Sequence, residues 1–319
     1  MPKRLIEVGP ERPLLDIGSY ARRGPGERQL SFGDLQVIRA TVRRHPEVMI
    51  KVLTQGGSGL KAVAAHLGYI GRDGDLALET DDGREIRDKT EMSELLEEWN
   101  LDVEQSSTGG SVPRPGARKP RLAHKLVFSM PAGTPSKGVL GAVRDFAREE
   151  FGAMHRYALL LHTDEPHPHV HLVVKAVSEE GRRLNIRKAT LRAWRQKFAL
   201  QLRQRGIAAN ATERAVRGQY AKALRDGIYR AAQRHESRHL IRGRPVPPAI
   251  EKTLRETRLR VEQGWEALAD RLTAEGQSDL AWLARRFVAS MPVVRTEQEL
   301  RVKDTQPPPQ RDQEADRLR

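Results

Sequence analysis

The stretch Leu161-His162-Thr163-Asp164-Glu165-Pro166-His167-Pro168-His169-Val170-His171-Leu172 holds four of the ten histidines in this 319-residue chain. Residues alternate in character on both sides, from Tyr157 to His162 and from His169 to Lys175. That period of two predicts two strands joined by a Pro-rich loop over residues 163–168, an antiparallel hairpin. In that register His162 lies opposite His169, and His171 is its diagonal neighbour, roughly 7 Å away or less between Cβ atoms. Tyr157, Leu159, Leu161, Val170, Leu172 and Val174 fall on the other face, so one face reads as core and the histidine face as a site.

Reach selects among the histidines. His167, His169 and His171 along one strand would span about 13 Å, too far for bonds of about 2 Å to a shared ion. The expected metal set is therefore His162, His169 and His171. Three neutral imidazoles suit Mn, Zn, Ni or Co better than Mg on ligand preference alone. Solvated or hydrogen-bonded histidines without an ion are the plainer alternative. Asp164, two residues past His162, is near enough to steady an imidazole N–H, or simply stabilises the turn.

The chain has no cysteine, which excludes disulfides, thiolate metal sites and a cysteine nucleophile. No apolar run approaches about 18 residues and the N-terminus lacks a signal segment, so a soluble, cytoplasmic protein with no membrane association is expected. The net charge of +14 points to a polyanionic partner. Residues 181–230 carry 14 basic against 2 acidic groups, nearly the whole excess. Arg182, Arg183, Arg187, Lys188 and Arg192 follow the hairpin directly and are the expected contacts to a single-stranded nucleic-acid backbone.

The remaining chain reads as α+β: a central antiparallel sheet carrying the histidines, flanked by helices, with a basic helical C-terminal extension. Residues 1–47 read as a flexible basic arm with a weakly amphipathic stretch from Phe32 to Arg44. A nuclease domain is expected over 48–220, with an acidic and flexible insertion near 75–120. A helical extension over 221–295 and a disordered tail over 296–319 complete the division. Strands are expected at 48–53 and 124–130, and helices at 90–99, 137–151, 188–205, 250–273 and 278–289, with further basic helix over 211–240. Ser58 is expected to cap a helix from Gly59 to Leu67, Gly68 to stop it, and Tyr69 to project into the following turn. Gly56-Gly57-Ser58-Gly59 lacks the Gly-Lys-Ser/Thr ending of a phosphate-binding loop. Spacing alone leaves Tyr69 either a packed aromatic or a nucleophile.

The run from Leu53 through Leu60-Lys61-Ala62-Val63-Ala64-Ala65-His66-Leu67-Gly68-Tyr69-Ile70-Gly71-Arg72-Asp73-Gly74, with His162-Thr163-Asp164 and Pro168-His169-Val170-His171, closely resembles relaxases. These are the mobilization nucleases of conjugative plasmids and integrative elements, within a wider group marked by a His-hydrophobic-His pair. The resemblance covers roughly residues 48–220. It implies that Tyr69 attacks one strand at a transfer origin, leaving a 5′-phosphotyrosine and a free 3′-OH. His162, His169 and His171 would hold a divalent ion, Mg or Mn in the family. Accessory origin-binding and coupling proteins are the implied partners. Ser129 matches a serine that touches DNA on the 3′ side of the cut. Many relatives carry Asp and Asn or Gln where Pro166 and His167 stand here, which leaves Asp164 as the candidate to activate the tyrosine. A water-using metal nuclease and a non-catalytic DNA-binding accessory protein are the competing readings.

Overall fold

A computed structural model describes residues 30–54, 57–101, 120–152, 154–219 and 248–292. The described residues divide into two compact units, one within residues 33–211 and the other made of residues 30–32, 212–219 and 248–292. In chain order the elements are α1 (Phe32–Val42), β1 (Met49–Leu53), α2 (Leu60–Ile70), β2 (Leu78–Thr80), β3 (Glu85–Ile86), α3 (Lys89–Glu98), β4 (Ala123–Ser129), α4 (Ser136–Glu150), β5 (Tyr157–His162), β6 (His169–Lys175), α5 (Lys188–Gln204), α6 (Pro248–Ala274) and α7 (Ser278–Ala289). The architecture is α+β: one six-stranded sheet, ordered β1-β4-β6-β5-β2-β3, with every strand pair antiparallel.

The strand alternation sorts side chains onto two covered faces. On one, Ile50, Leu126, Phe128, Tyr157, Leu159, Val170, Leu172 and Val174 pack under α4 and α5. These helices form because their apolar positions recur with helical spacing: Val139, Val143, Phe146 and Ala147 on α4, and Trp194, Phe198 and Leu202 on α5, are all buried. Phe128 sits between Phe146 and Phe198, tilted to the first at 4.9 Å and edge-on to the second at 5.2 Å between ring centroids. Trp194 satisfies its buried indole N–H on Glu150 at 2.8 Å.

The opposite face, which carries the histidines, is also core over much of its area, contrary to the expectation of one core face and one site face. Ala123, Ala158, Leu160 and Val173 lie under Val63, Leu67 and Ile70 of α2 and Met92, Leu95 and Leu96 of α3. α3 starts where Asp88 accepts from the backbone N–H of Thr90 and Glu91, both at 2.8 Å, while Glu91 reaches back to the N–H of Asp88. The hairpin β2–β3 extends the sheet through β2–β5 pairing. Sequence periodicity did not reveal it, because strands of two and three residues are shorter than the run of about four or more over which alternation can be recognised.

Two local expectations are corrected. Ser58 does not cap α2; Gly59 takes the N-cap position without a side-chain bond, and the Ser58 carbonyl instead accepts from the N–H of Leu122 at 3.1 Å. Gly68 does not stop α2, which runs on to Ile70. A mid-helix glycine costs about 1 kcal/mol relative to alanine. Burying Leu67 and Ile70, both 0% exposed, contributes roughly 1.5–3 kcal/mol each, so docking outweighs the glycine. The helix ends one turn later, where the N–H of Gly71 bonds the Leu67 carbonyl at 2.8 Å and Arg72 and Asp73 turn to positive φ of 51° and 53°.

The second unit contains α6, α7 and a 3-10 turn over Ala215–Arg217. Trp265, Leu268, Leu272, Leu280, Ala284 and Phe287 are buried, and the Trp265 indole donates to the Val216 carbonyl at 2.9 Å. The expected basic helix over 211–240 lies mostly outside the described residues; where 212–219 are described they form that short turn. No helix among the described residues is long and apolar enough to cross a membrane.

Candidate active site

Strand register brings the three histidines together. β5 and β6 pair His162 directly with His169, and Leu160 with His171. The ring centroids stand 5.1 Å apart for His162 and His169, 4.7 Å for His162 and His171, and 5.4 Å for His169 and His171. One ring nitrogen from each lies within 4.8 Å of the others. Two nitrogens sharing an ion at about 2.1 Å are at most about 4.2 Å apart, so ligation asks only small side-chain rotations. His167 is exposed and outside the cluster; its backbone carbonyl is 3.1 Å from the Nδ1 of His169.

The surroundings prepare His171 as a neutral donor and orient the other two rings. Burial, followed by the nearby His162, His169 and His66, pushes the His171 pKa down to about 3. Its Nδ1 is buried and has no hydrogen-bond partner among the described groups. His162 Nε2 is 2.7 Å from the carbonyl of Ile70 and His169 Nδ1 faces the carbonyl of His167. Carbonyl oxygens only accept, so each of those nitrogens carries the proton and the other ring nitrogen keeps its lone pair. A three-imidazole set with small mutual separations fits a divalent ion.

α2 brings Tyr69 to the same face. Tyr69 is 76% exposed and immediately precedes Ile70, whose carbonyl meets His162, so consecutive Cα atoms at about 3.8 Å hold the tyrosine backbone beside the cluster. The helix is fastened further back as well, where the buried Lys125 of β4 donates to the Ala62 carbonyl at 2.8 Å. Tyr69 thus sits in the last turn of the helix rather than in the turn after it.

Asp164 forms an ion pair with Arg72 at 2.6 Å. Its own backbone N–H and then the Arg72 guanidinium hold its carboxyl below the usual range. Ser129, at the end of β4, is paired in register with His169 on one side and Met49 on the other, and is 7% exposed.

The basic residues are elsewhere. Arg182 and Arg183 follow the Lys175 end of β6, roughly 20 Å of strand away from His169. Arg182 pairs with Glu180, and Arg183 donates to the Arg121 carbonyl at 2.8 Å. Arg187 and Lys188 open α5, and Arg192 lies in its second turn. Arg182 and Arg183 are therefore not adjacent to the histidines, and α5, which carries Lys188 and Arg192 and is preceded by Arg187, packs on the sheet face opposite them.

Two residues that sequence reading passed over belong to the site. His66 of α2 stacks edge-on to His171 at 5.9 Å between centroids, and burial and then Lys125 pull its pKa down to about 4. Its signal was its place one helical turn before Tyr69. Arg72, through its pair with Asp164, ties the end of α2 to the histidine loop.

Residues 71–207 match the family model of the nuclease domain of MobA/VirD2-like relaxases. That segment contains Ser129, Asp164 and all three clustered histidines, and begins two residues after Tyr69. T-DNA border endonucleases VirD2 are similar to the chain: that of Agrobacterium fabrum is 28% identical over 61% of this chain and 46% of its own length. The Rhizobium rhizogenes protein is 27% identical over 59% and 45%, and that of Rhizobium radiobacter 26% over 61% and 48%. The chain thus spans about half the length of these curated relatives.

Proposed function

We propose, from the match of residues 71–207 to the MobA/VirD2-like relaxase nuclease domain, that the chain nicks one DNA strand at a transfer origin through Tyr69. The observation that carries this reading is the pinning of the tyrosine helix to the histidine cluster, with the Ile70 carbonyl 2.7 Å from His162. His162, His169 and His171 would hold a divalent ion, which when bound would offset the charge that builds on the non-bridging oxygens of a phosphodiester under attack.

The chain's own residues do the rest. The Tyr69 hydroxyl loses its proton and its oxygen bonds to phosphorus. The P–O3′ bond breaks, and the departing oxygen takes up a proton as a free 3′-OH. The ester retains the energy of the broken bond, so the 3′-OH can attack in reverse and reseal the strand without a nucleotide triphosphate. The exposure of Tyr69 suits an entering strand. Asp164 is the residue we assign to steer the tyrosine proton, acting from the Arg72 pair beside the loop. Ser129, buried beside His169, contacts the DNA on the 3′ side of the cut.

Arg182, Arg183, Arg187, Lys188 and Arg192 bind the DNA backbone, Arg182 and Arg183 several nucleotides from the scissile phosphate given their distance along the sheet. Single-stranded DNA at the origin is the substrate, with origin-binding and coupling proteins as partners and the cytoplasm as the compartment. The setting is conjugative mobilization of a plasmid or integrative element.

The test mixes the protein with an oligonucleotide containing its own transfer origin and Mn²⁺. A denaturation-resistant protein–DNA adduct is expected, absent in Tyr69→Phe. Persistence of the adduct in that variant refutes the nucleophile, and cleavage without adduct points to water instead.

A further inference from the structure

The three clustered imidazoles are not held alike. His162 and His169 each turn one ring nitrogen to a backbone carbonyl, Ile70 at 2.7 Å and His167 at 3.1 Å. His171 has no such carbonyl, and its Nδ1 is buried without a partner among the described groups. The ring facing it is His66, at 5.9 Å between centroids and 61° between planes. His66 Nε2 is likewise buried and unpartnered. Two neighbouring rings, each with a buried nitrogen lacking a partner, each supply what the other needs if one carries the proton and the other the lone pair.

We infer that His66 is a positioning residue for the metal centre, accepting the Nδ1–H of His171 directly or across one shared water. The separation of the rings suits one bridging water, or a direct bond after a small side-chain shift. The consequence is a fixed tautomer: His171 keeps its proton on Nδ1 and presents the Nε2 lone pair. His66 also belongs to the helix that ends in Tyr69, being one turn before it. The ligand His171 and the nucleophile-bearing helix are then joined by a side-chain contact, in addition to the His162 bond at the helix end. The link to ion binding rests on the metal reading proposed above; the hydrogen bond itself does not.

The experiment has two readouts on the full chain. In the metal-free protein, long-range ¹H–¹⁵N imidazole spectra should show His171 protonated on Nδ1. The same spectra of His66→Leu should show that preference lost. A proton on Nε2 of His171 in the wild-type protein overturns the contact, whether or not any variant folds. Calorimetric Mn²⁺ titration then tests the consequence. His66→Leu should weaken binding about tenfold or more, and His66→Gln, whose amide oxygen can accept, should restore it to within about threefold. Equal Mn²⁺ affinity in wild type and His66→Leu, or no recovery in His66→Gln, overturns the positioning role. Failure of the wild-type protein to bind Mn²⁺ at all would instead refute the metal reading, leaving the tautomer result to judge the contact.

Discussion

Acidifying the metal-free protein from pH 7 to pH 5 should cost stability, and His171 should account for a measurable share. The residue is 8% exposed, and burial together with its histidine neighbours holds its pKa at about 3 against an ordinary 6.5. The folded chain therefore takes up almost no proton there above pH 5, whereas the unfolded chain begins to do so near 6.5. Because the unfolded state binds more protons, the contribution is fully present above about pH 6.5 and is lost as pH falls toward 3. For one such group the loss between pH 7 and 5 is about 2 kcal/mol, growing by about 1.4 kcal/mol per unit below that. Urea unfolding of EDTA-treated protein at pH 7, 6 and 5, with His171→Gln beside wild type, isolates the term. The difference between the two proteins cancels the titrating groups that do not interact with His171, those of the second unit included. Wild type should lose about 2 kcal/mol more than the variant over this range. Saturating Mn²⁺ should add about 2.7 kcal/mol at a hundred times its Kd, and only in wild type. Stability curves that run parallel for wild type and variant would refute the claim that His171 is buried neutral.

Further predictions concern the ligand set, the core and the DNA track. His167→Ala should leave Mn²⁺ affinity within twofold, since only its backbone carbonyl meets His169, while His169→Ala should reduce it at least a hundredfold; calorimetry separates the two. Phe128→Ala, at a side chain 0% exposed between Phe146 and Phe198, should destabilise the sheet by about 3–5 kcal/mol in denaturant titrations. Replacing Arg182 and Arg183 together with Ala should lower affinity for single-stranded DNA without regard to sequence. It should also reduce the slope of log affinity against log salt by roughly 1.4, leaving Mn²⁺ binding unchanged.

Much of the fold was legible because its signals are local. Alternation in Tyr157–His162 and His169–Lys175 set the hairpin and its register, and register alone made His162 rather than His167 the third member of the cluster. The stripes on α4 and α5 named their buried side chains. Tyr69 with its following glycine and arginine was visible as a motif, but its place in the last turn of α2 was not. Helix propensity at Gly68 argues for a stop, and only the burial of Leu67 and Ile70 against the sheet overrides it.

What the sequence by itself determined is therefore the periodic part: the antiparallel hairpin, its two faces and the helix stripes, all consequences of repeats of 2 and 3.6 residues. Tertiary structure decided everything that joins residues far apart in the chain. It brought the Ile70 carbonyl to His162, His66 to His171 and Arg72 to Asp164, and it carried Arg182 and Arg183 to the opposite end of the sheet. A run of charge next to the histidines in sequence implied nearness, but a strand rises about 3.3 Å per residue and leads the chain away from its own beginning. Proximity along the chain and proximity in the site part company there for that reason.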